Sequence, residues 1–151
     1  MKTIKNILLL SLIATMLVFP SCGGGDDPSI SLDELLSGSW KLSSVTVDGN
    51  DVTSDFSGFT LSLSSNGPNS GGGYYSATNG GSLLTSGSYN VDNTKIYTMN
   101  ESNGQNSYSI TSFSLTNDNK TLTFGFYNPT TTFGGGRIEG LSGEYVFVLN
   151  K

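Results

Sequence analysis

The sequence predicts an all-β domain, a small antiparallel up-and-down β-barrel of about eight strands that follows one short helix. Apolar and polar residues alternate through most of the chain after residue 39, with the period of two that half-buried strands show. Short segments rich in Gly, Asn and Asp separate these runs and suit tight turns between neighbouring strands. Because a meander of eight short strands exposes two edges unless it closes, we expect a closed barrel.

The chain has room for one such domain. Its 151 residues include 20 glycines and 35% hydrophobic residues, a composition that suits a single small β-rich core. We expect the sequence to divide into a signal peptide at 1–21, an acylated cysteine and flexible tether at 22–30, and the barrel domain at 31–151.

Residues 1–21 have the pattern of a bacterial lipoprotein signal peptide. Two lysines precede an apolar stretch at 7–19, which is shorter than the roughly 20 residues that a membrane-spanning helix needs. Ser21 and Cys22 follow, and this junction is similar to the lipobox of bacterial lipoproteins, whose cysteine is acylated and becomes the mature N-terminus. We therefore predict lipidation at Cys22, the only cysteine, by acyl chains such as palmitate. The alternative is an ordinary secretory signal in which the cysteine has no role.

The segment after Cys22 is an acidic tether. Three glycines, then Asp26 and Asp27, offer nothing apolar to bury, so this segment cannot fold alone. It resembles the export signal that sends lipoproteins of Bacteroidota-type bacteria to the outer face of the outer membrane. We expect a lipid-anchored outer-membrane protein that is exposed at the cell surface. The alternative is a plain linker that leaves the protein on the periplasmic face.

The folded domain is predicted to begin with one short helix. In the stretch SLDELLSG, Ser31 and Glu34 form a capping box, acidic residues occupy the first turn, and Gly38 ends the helix. Eight strands are predicted after it, at 40–47, 59–64, 73–78, 86–91, 95–99, 107–115, 121–127 and 144–149.

Two of these strands depart from simple alternation. In the strand from 107, Tyr108 and Ile110 have one parity and Phe113 has the other, which predicts a bulge near Thr111 or Ser112. The last strand, YVFVL, is apolar on both parities. We therefore expect its second face to be covered by the helix, another chain or a ligand.

The start of the first strand resembles a known family. Gly38 and Trp40 match the G-x-W signature of lipocalins, and the stretch LLSGSWKLSSVTVDGNDVT is similar to the opening of lipocalin-like lipoproteins of Bacteroidota. The stretches GSYNVDNTKIYTM and NDNKTLTF look like hairpins that recur in that group. The resemblance implies a barrel whose cavity or open end binds a small hydrophobic or amphipathic ligand. The candidate ligand-binding residues are the strand aromatics Tyr89, Tyr108, Phe124 and Tyr145.

The same resemblance implies a structural role for Arg137. In lipocalins an arginine from near the final strand packs over the indole of the signature tryptophan, at the closed end of the barrel. Arg137 is the only arginine, so it is the residue we expect to stack on Trp40. A solvated loop arginine is the alternative.

The composition excludes several functions. From Cys22 onward, five widely spread basic residues stand against twelve acidic ones, so nucleic acid is not expected as a partner. The chain has no histidine and neither a G-x-S-x-G nor an S-x-x-K motif, so we expect no enzyme activity, no cofactor and no metal. The alternative function is a non-catalytic structural or interaction subunit of an outer-membrane or cell-surface assembly, with an outer-membrane protein as its partner.

Two groups of acidic residues suggest weaker hypotheses. Glu139 and Glu144 are of the residue type that forms a glycosidase pair, but solvated acids are the preferred interpretation. The loop DGNDVTSD is rich in oxygen ligands yet lacks the spacing of an EF-hand, so we predict a plain turn there.

Overall fold

The structure is a computed structural model that describes residues 30–81, 83–104, 106–129 and 141–151. Its helix is α1 (Leu32–Leu36), and a 3₁₀ helix follows at Thr53–Phe56. The strands are β1 (Gly38–Val47), β2 (Asn50–Asp51), β3 (Thr60–Ser65), β4 (Gly72–Thr78), β5 (Ser86–Val91), β6 (Ile96–Glu101), β7 (Ser107–Thr116), β8 (Thr121–Asn128) and β9 (Gly143–Asn150). The predicted signal peptide, Cys22 and Arg137 lie outside the described residues.

The strands close into a barrel. Each strand from β3 to β8 pairs antiparallel with the next, while β1 pairs with both β3 and β9 and so joins the two ends of the sheet. β2 contributes two residues that pair with the end of β1. The predicted antiparallel barrel of eight strands is confirmed, with β2 as one extra strand. In the described ranges, no helix is long and apolar enough to cross a membrane.

The helix and the eight long strands lie close to their predicted positions. The capping box is present, because the Glu34 carboxylate accepts hydrogen bonds from the Ser31 N–H at 3.1 Å and the Ser31 hydroxyl at 2.9 Å. Gly38 opens β1, since α1 already ends at Leu36. The longest extensions are of two residues: β1 begins at Gly38, and β6 continues to Glu101.

The segment DGNDVTSD, predicted as a plain turn, is a tight hairpin that leads into the 3₁₀ helix. The hydroxyl of Thr53 accepts a hydrogen bond from the N–H of Val45 at 3.0 Å, which holds this segment against β1. Asp51 stabilises the start of the 3₁₀ helix by accepting from the N–H of Thr53 at 2.9 Å. Across the described ranges, no three His, Cys, Asp or Glu side chains are grouped to hold a metal ion.

The predicted bulge in β7 is present. The register of β7 against β8 shifts between Ile110 and Ser112. Beyond the shift, Phe113 lies directly opposite Phe124, and directly opposite residues share one face of a sheet. The bulge therefore keeps apolar side chains of β7 on the interior side despite their change of parity.

Aromatic side chains dominate the interior surface of β8 and β9. The rings of Phe124 and Phe147 stack with centroids 5.4 Å apart, and those of Phe126 and Tyr145 stack at 5.8 Å. The outer face of β9 is less covered, because Val146 and Val148 remain half-buried beside short polar side chains of β1 and β8. The sequence predicts that this face is covered by the helix, another chain or a ligand. The helix α1 packs against β3 instead.

The two ends of the barrel differ. The first, called here the α1 end, holds α1, the turns at 66–71, 92–95 and 117–120, and the C-terminal Lys151. The second, called here the loop end, holds the longer connection 48–59, residues 79–81, 83–85, 102–104 and 106, the end of β8 and the start of β9.

Candidate functional site

The α1 end closes over a buried tryptophan. Trp40 is fully buried, and its indole Nε1 donates to the carbonyl oxygen of Leu36 at 2.7 Å. The ammonium of Lys151 lies 4.6 Å from the indole centroid and donates to the carbonyl oxygen of Leu35 at 2.7 Å. These contacts fasten the last turn of α1 to the barrel. The predicted stacking of Arg137 lies outside the described residues and stays a prediction.

Gly38 favours the close approach of Lys151. Its φ of +133° lies in a region that residues with a side chain rarely adopt. A Cβ added at this position would lie 3.2 Å from the Lys151 side-chain carbon Cε. The G-x-W pattern is therefore explained locally: the glycine lets the chain turn from α1 into β1 beneath the cation, two residues before the indole.

A buried carboxylate fastens α1 to the turn between β3 and β4. Asp33 is 1% exposed, and its Oδ2 accepts hydrogen bonds from the hydroxyls of Ser65 at 2.9 Å and Ser70 at 2.8 Å. Burial alone would raise the pKa of this carboxyl group, but hydrogen bonds from Ser31, Ser70 and Ser65 outweigh it and lower the pKa to about 2. Asp33 is therefore ionised at neutral pH.

The four predicted ligand-binding aromatics face the interior in two groups. Each of them is at most 3% exposed. Tyr89 on β5 and Tyr108 on β7 lie opposite Met99 of the intervening β6, one on each side. Phe124 and Tyr145 belong to the aromatic stack on β8 and β9. The four residues therefore line different parts of the interior wall.

Two tyrosine hydroxyls of this set already have protein partners. The hydroxyl of Tyr89 donates to the carbonyl oxygen of Ser64 at 3.4 Å, and that of Tyr145 donates to the carbonyl oxygen of Leu141 at 3.0 Å. Burial, together with the charge of Asp33, raises the pKa of Tyr89 to about 12. Their phenol groups therefore offer a ligand mainly apolar ring surface.

The sequence predictions missed an interior polar cluster, formed by Tyr75, Glu101 and Tyr108. Tyr75 on β4 lies directly opposite Gly87 on β5, and Gly87 lies directly opposite Glu101 on β6. Tyr75 is 3% exposed and Glu101 is 5% exposed. Within the described ranges, the buried hydroxyl of Tyr75 has no hydrogen-bond partner.

The carboxylate of Glu101 is held by donors from the loop end. It accepts hydrogen bonds from the hydroxyl of Thr85 at 3.2 Å and the side-chain amide of Asn106 at 2.7 Å. Burial raises the pKa of Tyr75 and Tyr108 well above the ordinary range, and the negative charge of Glu101 raises both further. Both phenols are therefore protonated hydrogen-bond donors at any physiological pH.

The alternation of inward and outward residues along the strand could have identified Glu101 from the sequence. Glu101 comes two residues after Met99 and so shares its inward face. The predicted strand ended at Met99, two residues before Glu101. Tyr75 is marked more weakly, since it follows another tyrosine and parity alone does not say which of the two points inward.

A family model for a lipocalin-like domain matches residues 36–136 of this chain, a range that covers β1 to β8. The protein belongs to the lipocalin-like domain family. No curated protein and no solved structure matches it. The lipocalin-like fold is generally a binding fold that lacks catalysis, and its barrel suggests a small hydrophobic ligand.

The lipocalin-like barrel also has a cleft between β1, β3 and the 3₁₀ helix. The ladder between β1 and β3 ends at Lys41 and Thr60, and the 3₁₀ helix lies beside the gap that follows. The cleft has a volume of about 530 Å³ and includes the side chains of Phe56 and Phe59. It is a concave surface separate from the interior polar cluster.

Of the two acidic residues considered as a glycosidase pair, Glu144 lies within the described part of the barrel. Glu144 is exposed at the start of β9 and accepts a hydrogen bond from the hydroxyl of Thr111 at 3.0 Å. Glu139 lies outside the described residues.

Proposed function

We propose that this protein is a membrane-anchored lipoprotein whose lipocalin-like barrel binds a small hydrophobic or amphipathic ligand and catalyses no reaction. The interior carries the proposal: its wall is apolar and rich in aromatic side chains, Trp40 and Asp33 close the α1 end, and a few polar groups lie nearer the loop end. Such sites draw affinity from the apolar surface that they bury, and they orient the ligand with a small number of polar groups.

Binding is tested with residues 23–151, which contain α1 and all of the described strands. We expect the neutral probe N-phenyl-1-naphthylamine to show a saturable rise in fluorescence at one probe per chain. Tyr108→Ala alters the interior wall and is expected to change the dissociation constant at least threefold. Tyr97→Ala is the matched control, because Tyr97 is 43% exposed and lies outside the core. A signal that does not saturate, or that both variants change equally, would overturn the proposal.

The membrane anchor in this proposal is the acylated Cys22. Its support is the sequence pattern of 1–21 and the acidic tether, which also underlie the proposed place on the cell-surface face of a Bacteroidota-type outer membrane. Several acyl chains hold a protein on a bilayer that one chain would not, since each buried methylene adds roughly 0.8 kcal/mol.

We expect Cys22→Ala to abolish acylation of the expressed chain. The variant should accumulate as an uncleaved precursor or appear in the soluble fraction, whereas wild-type protein should partition into detergent after phase separation with Triton X-114. Ser21→Ala keeps a small residue before the cysteine and serves as the control. Normal processing and unchanged partitioning of Cys22→Ala would contradict lipidation.

A second candidate function is an interaction subunit whose outer wall contacts an outer-membrane protein. Exposed aromatic side chains favour it, because Tyr74 is 62% exposed and Tyr127 is 54% exposed. Aromatic residues are enriched in protein interfaces relative to other surface. Recovery of a stoichiometric partner from solubilised membranes, together with no probe binding by the barrel, would favour this function over the first.

A further inference from the structure

We propose that the barrel selects ligands that carry an uncharged oxygen, such as an alcohol or ester, which accepts a hydrogen bond from the Tyr75 hydroxyl inside the barrel. Fatty-acid-like anions are excluded by the carboxylate of Glu101 on the same interior face. This inference rests on the proposed ligand-binding function and names the class of ligand.

The first observation is the unpaired hydroxyl of Tyr75. Tyr75 is only 3% exposed, and its hydroxyl has no hydrogen-bond partner among the residues that the structure describes. A buried hydroxyl in this state is unfavourable, because it has lost water without gaining another partner. An oxygen atom of a ligand that accepts from Tyr75 removes that cost on binding.

The second observation is the register that places Tyr75 and Glu101 in one row. Gly87 lies between them and is directly opposite both, so no side chain separates the two along the row. The glycine is required here, because an added Cβ would overlap the backbone carbonyl oxygen of Asn100. The backbone of β6 therefore enforces this gap between the phenol and the carboxylate.

The third observation is the charge of this part of the interior. Glu101 accepts hydrogen bonds from the hydroxyl of Thr85 and the side-chain amide of Asn106, and these donors hold its carboxylate on the interior side. All four lysines in the described ranges are exposed, so none of them lies inside to neutralise an anionic ligand. A carboxylate head group beside Tyr75 would meet the charge of Glu101 across Gly87, whereas an alcohol or ester oxygen would not.

Displacement of N-phenyl-1-naphthylamine from residues 23–151 tests the inference, with dodecan-1-ol and dodecanoate as competitors at pH 8. We expect Tyr75→Phe to weaken competition by dodecan-1-ol about tenfold and to leave competition by dodecanoate within twofold of wild type. Glu101→Gln should strengthen competition by dodecanoate at least fivefold. Tyr97→Phe removes an exposed hydroxyl and serves as the matched control.

The thermal midpoint of the ligand-free protein supplies a second readout. Tyr75→Phe should raise it, because the variant loses an unpaired buried hydroxyl; a hydroxyl with a structural partner would instead leave the variant less stable. A lower midpoint, or unchanged competition by dodecan-1-ol, would overturn the inference while the ligand-binding function stands. Failure of the wild-type barrel to bind the probe at all would overturn both.

Discussion

Replacing Trp40 with alanine is expected to lower the free energy of unfolding by about 3–5 kcal/mol, the usual range for truncating a large buried aromatic side chain. Trp40 is fully buried, so the variant leaves a cavity at the α1 end. It also removes the hydrogen bond from the indole to Leu36 and the surface on which the Lys151 ammonium lies. Because these contacts hold α1 against the barrel, we expect the helix to detach as well.

Urea denaturation of residues 23–151, followed by far-ultraviolet circular dichroism, measures this effect. Tyr74→Ala is the matched control, since it truncates an aromatic side chain that is 62% exposed, and we expect it to change stability by no more than about 0.5 kcal/mol. The loss of stability in Lys151→Met should lie between those of Trp40→Ala and Tyr74→Ala, because this change removes the charge over the indole and keeps much of the side-chain bulk. A loss below about 1 kcal/mol for Trp40→Ala would show that the α1 end is not closed by this residue.

The second large effect is expected from Asp33, through the dependence of stability on pH. Its pKa is about 2 in the folded protein, below the ordinary value of 3.8, so the unfolded chain binds more protons between these values. The stabilisation is therefore complete above about pH 4 and is lost as pH falls through about 2. A shift of this size corresponds to about 2 kcal/mol.

Asp33→Asn removes the titrating group and keeps a side chain of similar size. We expect it to be less stable than wild type by about 2 kcal/mol at pH 6, with the difference shrinking towards zero near pH 2. Ser70→Ala should reproduce part of the loss, because the Ser70 hydroxyl donates to Asp33 at 2.8 Å. Ser114→Ala, at an exposed position of β7, is the control. Parallel pH profiles for wild type and Asp33→Asn would rule out this role.

The strand positions could be predicted because they depend on residues that are neighbours in the sequence. Alternation along a strand depends on neighbouring residues alone, and Leu61 and Leu63 on β3 are buried while Ser62 and Ser64 between them are exposed. The capping box of α1 is equally local, since Ser31 and Glu34 are three residues apart. The 3₁₀ helix was missed because it depends on a contact across the hairpin, from Thr53 back to Val45.

The candidate site was predicted less completely. The sequence named the strand aromatics Tyr89, Tyr108, Phe124 and Tyr145 as candidates, and the structure finds all four buried in the interior. The interior polar cluster depends on the pairing of β4, β5 and β6, which sets Tyr75, Gly87 and Glu101 in one row. Register between strands follows from the packing of the whole sheet, and a single strand does not carry that information.

The sequence by itself determined the fold class, the strand positions and the G-x-W start of β1, because each of these depends on residues close together in the chain. Only the tertiary structure showed that the ammonium of Lys151 lies over Trp40. The pairing of β1 with β9 sets Lys41 opposite Asn150, so closure of the barrel brings Lys151 to the indole. The physical reason is that closure joins residues more than a hundred positions apart, through contacts that no local pattern records.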